Sequence, residues 1–150
     1  MSEKKDEKIL DYARNFILSA VEKREVVIYK TFQISAGHYL NLDYESPCKS
    51  PHGHDYKVEL WIKGDLNSNH MVADFQEIKK TIVKLFDHKD LNEVFEKNDL
   101  PLNPTAEVLA IMIYYILKMK YSFDLKVKVR IWETDTSYAE FGDKIEYDKE

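Results

Sequence analysis

Residues 52–62, His-Gly-His-Asp-Tyr-Lys-Val-Glu-Leu-Trp-Ile, decide the fold, because their character alternates from one residue to the next. Every second residue from His52 to Ile62 shares one face, and from Tyr56 onward that face is apolar. The charged residues of the other face are Asp55, Lys57, Glu59 and Lys63. A period of two with one apolar face predicts a strand in a sheet that is covered on one side only.

The segment before it, Val26–His38, has the same period. Lys30 is the exception on its apolar side. The members of that side are Val26, Ile28, Phe32, Ile34 and Ala36, and the same parity runs on to His38. The loop of residues 41–51 then turns the chain. Antiparallel pairing of the two strands would bring His38 close to His52 and His54.

Two helices are predicted after these strands. Asp74 opens the first, with Glu77 three residues later in capping-box position, and an apolar stripe continues as far as Asp87. The segment Asn103-Pro104-Thr105 starts the second, with the proline suited to the first helical position. The second helix is apolar around most of its circumference, which predicts that it is buried.

Two further strands complete the predicted domain. Residues 125–133 alternate between apolar and charged side chains, and Gly142 marks the end of a short final strand. The predicted order is therefore ββααββ. We expect an α+β domain, with a four-stranded antiparallel sheet and two helices on one face.

We expect residues 1–24 to form a separate N-terminal extension and residues 25–150 to form a single domain. Ile9, Ala13, Phe16 and Ala20 share one stripe of a predicted amphipathic helix, with charges opposite. We expect that stripe to pack on its own domain or on a neighbouring subunit. A basic face is missing, so a membrane role is not favoured.

The composition narrows the function classes. A net charge of −5 on 150 residues disfavours a nucleic-acid partner, which would need clustered surplus Lys and Arg. The chain has one cysteine and so cannot form an intramolecular disulfide. With no long apolar span in the sequence, the expected compartment is the cytoplasm, without a membrane partner.

Residues 38–54 contain three of the five histidines and the single cysteine: His38, Cys48, His52 and His54. His52 and His54 share one strand face, so both imidazoles can reach one ion. Three imidazoles suit Zn²⁺ with a fourth position open to water or substrate, although Fe, Ni and Cu are also compatible with this ligand type. The alternative is a closed structural site of three histidines and Cys48, which is distinguished by whether the thiolate binds the metal.

Two further polar features lie where apolar residues are expected. Glu133 continues the apolar parity of its strand, so it is either a ligand anchor or a strand-end residue that turns to water. Asp87-His88 ends the first predicted helix. It is either a cap that interacts with the helix dipole or a proton-exchange pair in which Asp87 orients His88.

Six motifs occur together between Val26 and Glu133. They are FQISAGHYL, CKSPHGHDYKVEL, HMVADF, LFDHKDLN, NPTAE and WET. In this order they resemble the superfamily of 6-pyruvoyl tetrahydropterin synthases and 6-carboxytetrahydropterin synthases, which has the tunnelling fold, or T-fold. The predicted N-terminal helix lies outside the resemblance.

The resemblance implies a role for each matching residue. It makes His38, His52 and His54 the zinc ligands, and Cys48 the catalytic thiol. Asp87 and His88 become its proton-relay partners. The residues that it implies for pterin binding are Glu133 as the anchor, with Thr105 and Glu107 lining the pocket.

The resemblance also implies a substrate and an assembly. The family substrate is 7,8-dihydroneopterin triphosphate, and the three residues between Cys48 and His52 match the 6-carboxytetrahydropterin synthases of deazapurine (queuosine) biosynthesis. Pyruvoyl synthases and a non-catalytic zinc-stabilised binding module are the alternatives. Tyr39 stands where many members have arginine for substrate phosphate, and Lys30 is a candidate to compensate. Trimers, or dimers of trimers, are expected, with Glu133 and Asp87-His88 able to come from a different chain than the histidines.

Overall fold

The computed structural model describes residues 6–146. A 3₁₀ turn, Pro47–Lys49, lies between the first two strands. The helices and strands in chain order are α1 (Ile9–Lys23), β1 (Val26–His38), β2 (His52–Gly64), α2 (Phe75–Phe86), β3 (Lys89–Asp90), α3 (Leu91–Lys97), α4 (Ala106–Lys120), β4 (Lys126–Thr134) and β5 (Ser137–Gly142).

The strands form one sheet in the order β3-β1-β2-β4-β5. All neighbours are antiparallel except β3, which pairs parallel to β1. The predicted α+β class and the ββααββ order of the main elements are confirmed. The two-residue β3 and the seven-residue α3 are additions that the sequence pattern did not predict, because both are shorter than a readable period.

The register of the central strands positions the site. His38 on β1 lies opposite His52 on β2, and Ala36 lies opposite His54. Lys57 on β2 pairs with Trp132 on β4. Glu133, one residue further along β4, is therefore placed beside the part of β2 that carries the histidines.

The core lies on one face of the sheet, under α2 and α4. The fully buried residues contributed by these two helices are Ile78, Ile82, Phe86, Leu109, Ala110, Ile113 and Leu117. The other face carries a polar and aromatic cluster, in which Glu59 accepts hydrogen bonds from the Tyr29 hydroxyl and the Trp132 indole. Burial raises the pKa of Glu59, but these bonds and the charges of Lys57 and Arg130 bring it below its ordinary value.

A side chain caps the N-terminus of each of the two long core helices, α2 and α4. The Asp74 carboxylate accepts from the backbone amides of Gln76 and Glu77 at the start of α2, as predicted. The Thr105 hydroxyl accepts from the backbone amide of Val108, so Thr105 caps α4. The prediction that Pro104 takes the first helical position is wrong, because the helix begins two residues later. Pro104 precedes the cap, which leaves its carbonyl outside the helix.

The N-terminal helix α1 buries none of its residues against the rest of the described chain. Ile9, Leu10 and Phe16 are 60%, 68% and 80% exposed. Packing on its own domain, one of the two expected roles, is therefore not observed. Among the helices of residues 6–146, none combines the length and apolar character needed to cross a membrane.

Candidate active site

Three imidazoles converge where β1 ends and β2 begins. One ring nitrogen from each of His38, His52 and His54 lies within 4.8 Å of the other two. The Nε2 atoms of His38 and His52 are 3.0 Å apart. His38 is 3% exposed, so its ring nitrogen faces the other imidazoles rather than bulk water.

Two backbone carbonyls orient the rings of His38 and His52. The Nδ1 of His38 lies 2.7 Å from the Pro104 carbonyl, and the Nδ1 of His52 lies 2.7 Å from the Ser50 carbonyl. A carbonyl only accepts, so each Nδ1 carries the proton and donates. The Nε2 lone pairs are therefore left facing the centre of the cluster, as in histidines that bind metals.

The donor set fits a divalent cation. Tetrahedral zinc with Zn–N bonds of about 2.0–2.1 Å places its ligand nitrogens about 3.3 Å apart, close to the separation of the His38 and His52 nitrogens. Within residues 6–146, these three histidines form the one cluster with the spacing of metal ligands, and the Cys48 sulfur is not part of it. The arrangement thus matches an open site rather than the closed site with a thiolate ligand.

Glu133 borders the cluster on its own chain. Its Oε1 lies 3.6 Å from the His54 Nε2 and 3.9 Å from the His38 Nε2. Burial lowers the pKa of His54, the Glu133 charge raises it, and the other two imidazoles lower it further, with a net shift downward. Burial and Glu133 also raise the pKa of Tyr56, which packs beneath the histidines and so stays a neutral hydroxyl.

Cys48 is held in the 3₁₀ turn of the loop that joins His38 to His52. Its amide donates to the Ser46 hydroxyl over 3.2 Å, and its carbonyl accepts from the Leu40 amide over 2.8 Å. The side chain is half-buried. Backbone contacts therefore hold the turn that carries the thiol, and the thiol is not part of the histidine cluster.

Asp87 and His88 lie at the edge of β1 away from β2. The Asp87 carboxylate accepts from the Ser35 amide over 2.8 Å and lies 3.5 Å from the His88 Nε2. His88 has φ 56°, and its amide donates to the Ser35 carbonyl. Its side chain is 83% exposed. Among residues 6–146, no hydrogen bond or ion pair joins this dyad to Cys48 or to the three histidines.

The remaining residues singled out from the sequence are Glu107, Tyr39 and Lys30. Glu107 is exposed in the first turn of α4, one residue after the Ala106 that follows the Thr105 cap. Tyr39 lines a cavity of about 550 Å³. Lys30 lies eight positions before His38 on the same strand, which corresponds to roughly 26 Å. Within one chain, Lys30 therefore does not replace a positive charge at position 39.

Four contacts around the site were missed from the sequence. Two are made by the carbonyls of Pro104 and Ser50. Two are made by the side chains of Asn92 and Asn103, which accept hydrogen bonds from the backbone of Tyr39 and Asn41 at the start of the loop that carries Cys48. Carbonyl positions leave no signature in side-chain patterns. The asparagines do stand inside quoted motifs, since Asn92 ends LFDHKDLN and Asn103 begins NPTAE. Their place in those motifs was a usable signal.

We expect metal affinity to fall on acidification, because a metal binds imidazole only in its neutral form. For His54 the fall should begin below about pH 6.5, the ordinary histidine value, since its folded-state pKa is lowered and the neutral form persists to lower pH. Competition titration with a chromogenic zinc chelator between pH 5 and 8 measures this. His70→Asn is the control, because His70 is outside the cluster and Asn tolerates its φ of 63°. An affinity independent of pH would contradict imidazole ligation.

An α+β fold with an open three-histidine site and a nearby loop cysteine defines a candidate metalloenzyme. The sequence profile of the 6-pyruvoyl tetrahydropterin synthase family matches residues 27–144. A relative from Pyrococcus horikoshii is 38% identical over 75% of this chain and 87% of its own length. The 6-carboxy-5,6,7,8-tetrahydropterin synthase of Bacillus subtilis is 33% identical over 77% of this chain and 84% of its own.

A solved structure shares the fold. The 6-pyruvoyl tetrahydropterin synthase of Caenorhabditis elegans superposes with a TM-score of 0.63 and 24% identity, over 80% of this chain and 96% of that one. The chain belongs to the 6-pyruvoyl tetrahydropterin synthase family, and it has the T-fold. The profile match starts after α1, the element that the family resemblance also left out.

Proposed function

We propose that this protein is a zinc-dependent lyase that converts 7,8-dihydroneopterin triphosphate and one water molecule into 6-carboxy-5,6,7,8-tetrahydropterin, acetaldehyde and triphosphate. A deazapurine pathway such as that of queuosine would use this product. The observation that carries the proposal is the three-imidazole cluster without a thiolate ligand, next to a loop that holds the single cysteine. The names of several relatives and the spacing between Cys48 and His52 favour the carboxy branch.

His38, His52 and His54 would hold the zinc ion. When bound, zinc supplies Lewis-acid chemistry that makes protons next to substrate oxygens easier to remove. Cys48 serves as the group that takes and returns those protons, since a positioned thiol can act as general base and acid. Its separation from the ligand nitrogens supports this role, because a thiolate bound to the metal would not be free to move protons.

Glu133 anchors the substrate ring. A carboxylate can accept two parallel N–H bonds from the 2-amino and ring N–H edge of a pterin. The Oε1 of Glu133 lies 3.6 Å from the His54 nitrogen, so the anchor and the imidazole cluster border the same space. Thr105 and Glu107 are proposed to line the same pocket, Thr105 through the backbone at the start of α4 and Glu107 from the first turn.

Asp87 and His88 are proposed to serve the Cys48 of a neighbouring subunit. Their attachment at the far edge of β1 and the 83% exposure of the His88 side chain support this arrangement. A sheet with open edges must also be covered in some way. We therefore propose a homo-oligomer, a trimer or a dimer of trimers, with active sites at subunit junctions. Asp87 orients His88, and His88 exchanges the proton carried by Cys48.

Product analysis tests the proposed reaction. We expect zinc-loaded protein incubated with 7,8-dihydroneopterin triphosphate to release acetaldehyde and triphosphate in equal amounts, measured by derivatisation of the aldehyde and by mass spectrometry of the pterin. Triphosphate without acetaldehyde would assign the protein to pyruvoyl synthesis, in which the side-chain carbons are retained. No turnover, together with unfolding on chelation, would instead indicate a zinc-stabilised binding module.

A further inference from the structure

We infer that Asn92 and Asn103 are positioning residues, which together clamp the segment Tyr39–Asn41 and thereby hold Cys48 at the site. The inference rests on the proposed role of Cys48. The clamp itself consists of four hydrogen bonds between two side-chain amides and the backbone. Neither asparagine is assigned a function by the proposed reaction.

Asn92 binds one backbone residue through both of its amide atoms. Its Oδ1 accepts from the Tyr39 amide over 2.8 Å, and its Nδ2 donates to the Tyr39 carbonyl over 3.0 Å. This reciprocal pair is the pattern that a neighbouring strand would make in an antiparallel ladder. Asn92 lies in the first turn of α3, where the Asp90 side chain accepts from its backbone amide. A capped helix thus fixes the starting point of the Asn92 side chain.

Asn103 repeats the arrangement two residues along the segment. Its Oδ1 accepts from the Asn41 amide over 2.7 Å, and its Nδ2 donates to the Asn41 carbonyl over 2.9 Å. The next residue, Pro104, presents its carbonyl to His38. One short segment before α4 therefore contacts both the loop and a metal ligand.

The residue between the two clamped positions faces the other way. The Leu40 amide donates to the Cys48 carbonyl over 2.8 Å. Alternation of hydrogen-bonding direction from residue 39 to 41 is the property of an extended strand. On one side this extended segment pairs with the side-chain amides of Asn92 and Asn103. On the other side it donates to the backbone carbonyl of Cys48. The same loop continues to Ser50, whose carbonyl orients His52.

The chemistry of the amide explains why asparagine is needed. Only an amide offers an acceptor and a donor at this side-chain length. Leucine has a similar volume and offers neither. Aspartate would keep the acceptor but would turn a second oxygen toward the backbone carbonyl. Loss of the clamp should therefore free Tyr39–Asn41, and with it the turn that carries Cys48, while β1 and β2 remain paired.

The direct test is the alkylation rate of Cys48 with iodoacetamide, followed by intact mass. The chain has one cysteine, so the signal has a single source. In Asn92→Leu and Asn103→Leu we expect the rate to rise about tenfold, since two net hydrogen bonds are lost. Asn98→Leu is the matched control at the C-cap of the same helix, because within residues 6–146 the Asn98 side chain donates only to the Val94 carbonyl of that helix. A folded Leu variant that is alkylated at the unmodified rate would overturn the clamp.

Turnover gives a second readout that a purely structural role would not produce. We expect kcat to fall about 10- to 100-fold in the Leu variants, because displacement of a reacting group by about 1 Å has effects of this size. KM should change little, since Glu133 and the histidines are untouched. Equal losses in the Asn98→Leu control would overturn the positioning role. Failure of the proposed reaction would leave no turnover in any variant, whereas the alkylation result would stand.

Hydrogen exchange on the unmodified protein covers the case in which a Leu variant does not fold. The amides of Tyr39, Leu40 and Asn41 all donate to acceptors, so their exchange should be slowed relative to unprotected peptide rates. Fast exchange at Tyr39 and Asn41 in the native protein would overturn the inference without any substitution.

Discussion

A Cys48→Ala variant is expected to lose about 10²–10⁴-fold in kcat, the usual contribution of a positioned general acid or base. Its metal content should be unchanged, because the Cys48 sulfur is not among the ligand atoms of the histidine cluster. The fold should also be retained, since the contacts that hold this turn are made by its backbone. Steady-state turnover and metal analysis of the same preparation measure both quantities.

The same variant distinguishes a catalytic Cys48 thiol from a Cys48 that is the fourth metal ligand. If Cys48 were a fourth ligand, Cys48→Ala would lower zinc affinity as well as turnover. Unchanged turnover would remove the thiol from the mechanism. Cys48→Ser is the conservative companion, because it nearly keeps the side-chain size but replaces the thiol by a hydroxyl, which is a far weaker acid.

A mixing experiment extends this test to the proposed junction. His88→Ala and Cys48→Ala chains, each inactive alone, are expected to regain activity when dissociated and reassembled together. About a quarter of the junctions in an equal random mixture would combine an intact cysteine with an intact histidine from its neighbour. Mixtures that stay inactive although the chains have exchanged would contradict a dyad supplied by another subunit.

A His52→Ala variant is expected to lower zinc affinity more than 100-fold. Substitution of residues that merely orient a metal ligand costs about 10–100-fold, and His52 supplies the ligand nitrogen itself, 3.0 Å from that of His38. Turnover should be lost with the metal. Competition titration and metal content after gel filtration measure the effect.

Two controls keep this result interpretable. His70→Asn removes an imidazole outside the cluster and should leave zinc affinity unchanged. Chelation of the unmodified protein should abolish turnover, and added Zn²⁺ should restore it. Tight zinc binding by His52→Ala would show that the three imidazoles are not the ligand set.

Elements with a long period were predictable from the sequence. The alternation through Val26–His38 and His52–Gly64 identified both central strands. The same alternation predicted that His38 shares a sheet face with His52 and His54. Asp74 with its hydrogen bonds to the first turn marked the start of α2 as predicted. Such features depend on residues that are close together in the chain, so they can be read directly from the sequence.

Features that depend on distant contacts were not predictable. The seven-residue α3 is too short to show a period. A proline near the start of a helix is compatible with several positions, so the sequence did not show that Pro104 precedes the cap. Asn92 and Asn103 bind residues 53 and 62 positions away, respectively. Which side of β1 receives Asp87-His88 depends on how the chain returns after α2, since β3 adds at the edge away from β2.

The sequence by itself determined the chemistry of the site. It supplied three imidazoles, one thiol and a strand parity that turns the histidines to a common face, because side chains of an extended chain alternate. Only the tertiary structure decided which of the functional groups lie together in one chain and which lie apart. It placed Glu133 beside the histidines of its own chain and the Asp87-His88 dyad at the opposite edge of β1. The physical reason is that strand order and loop paths are set by burial of the whole core, which no short segment encodes.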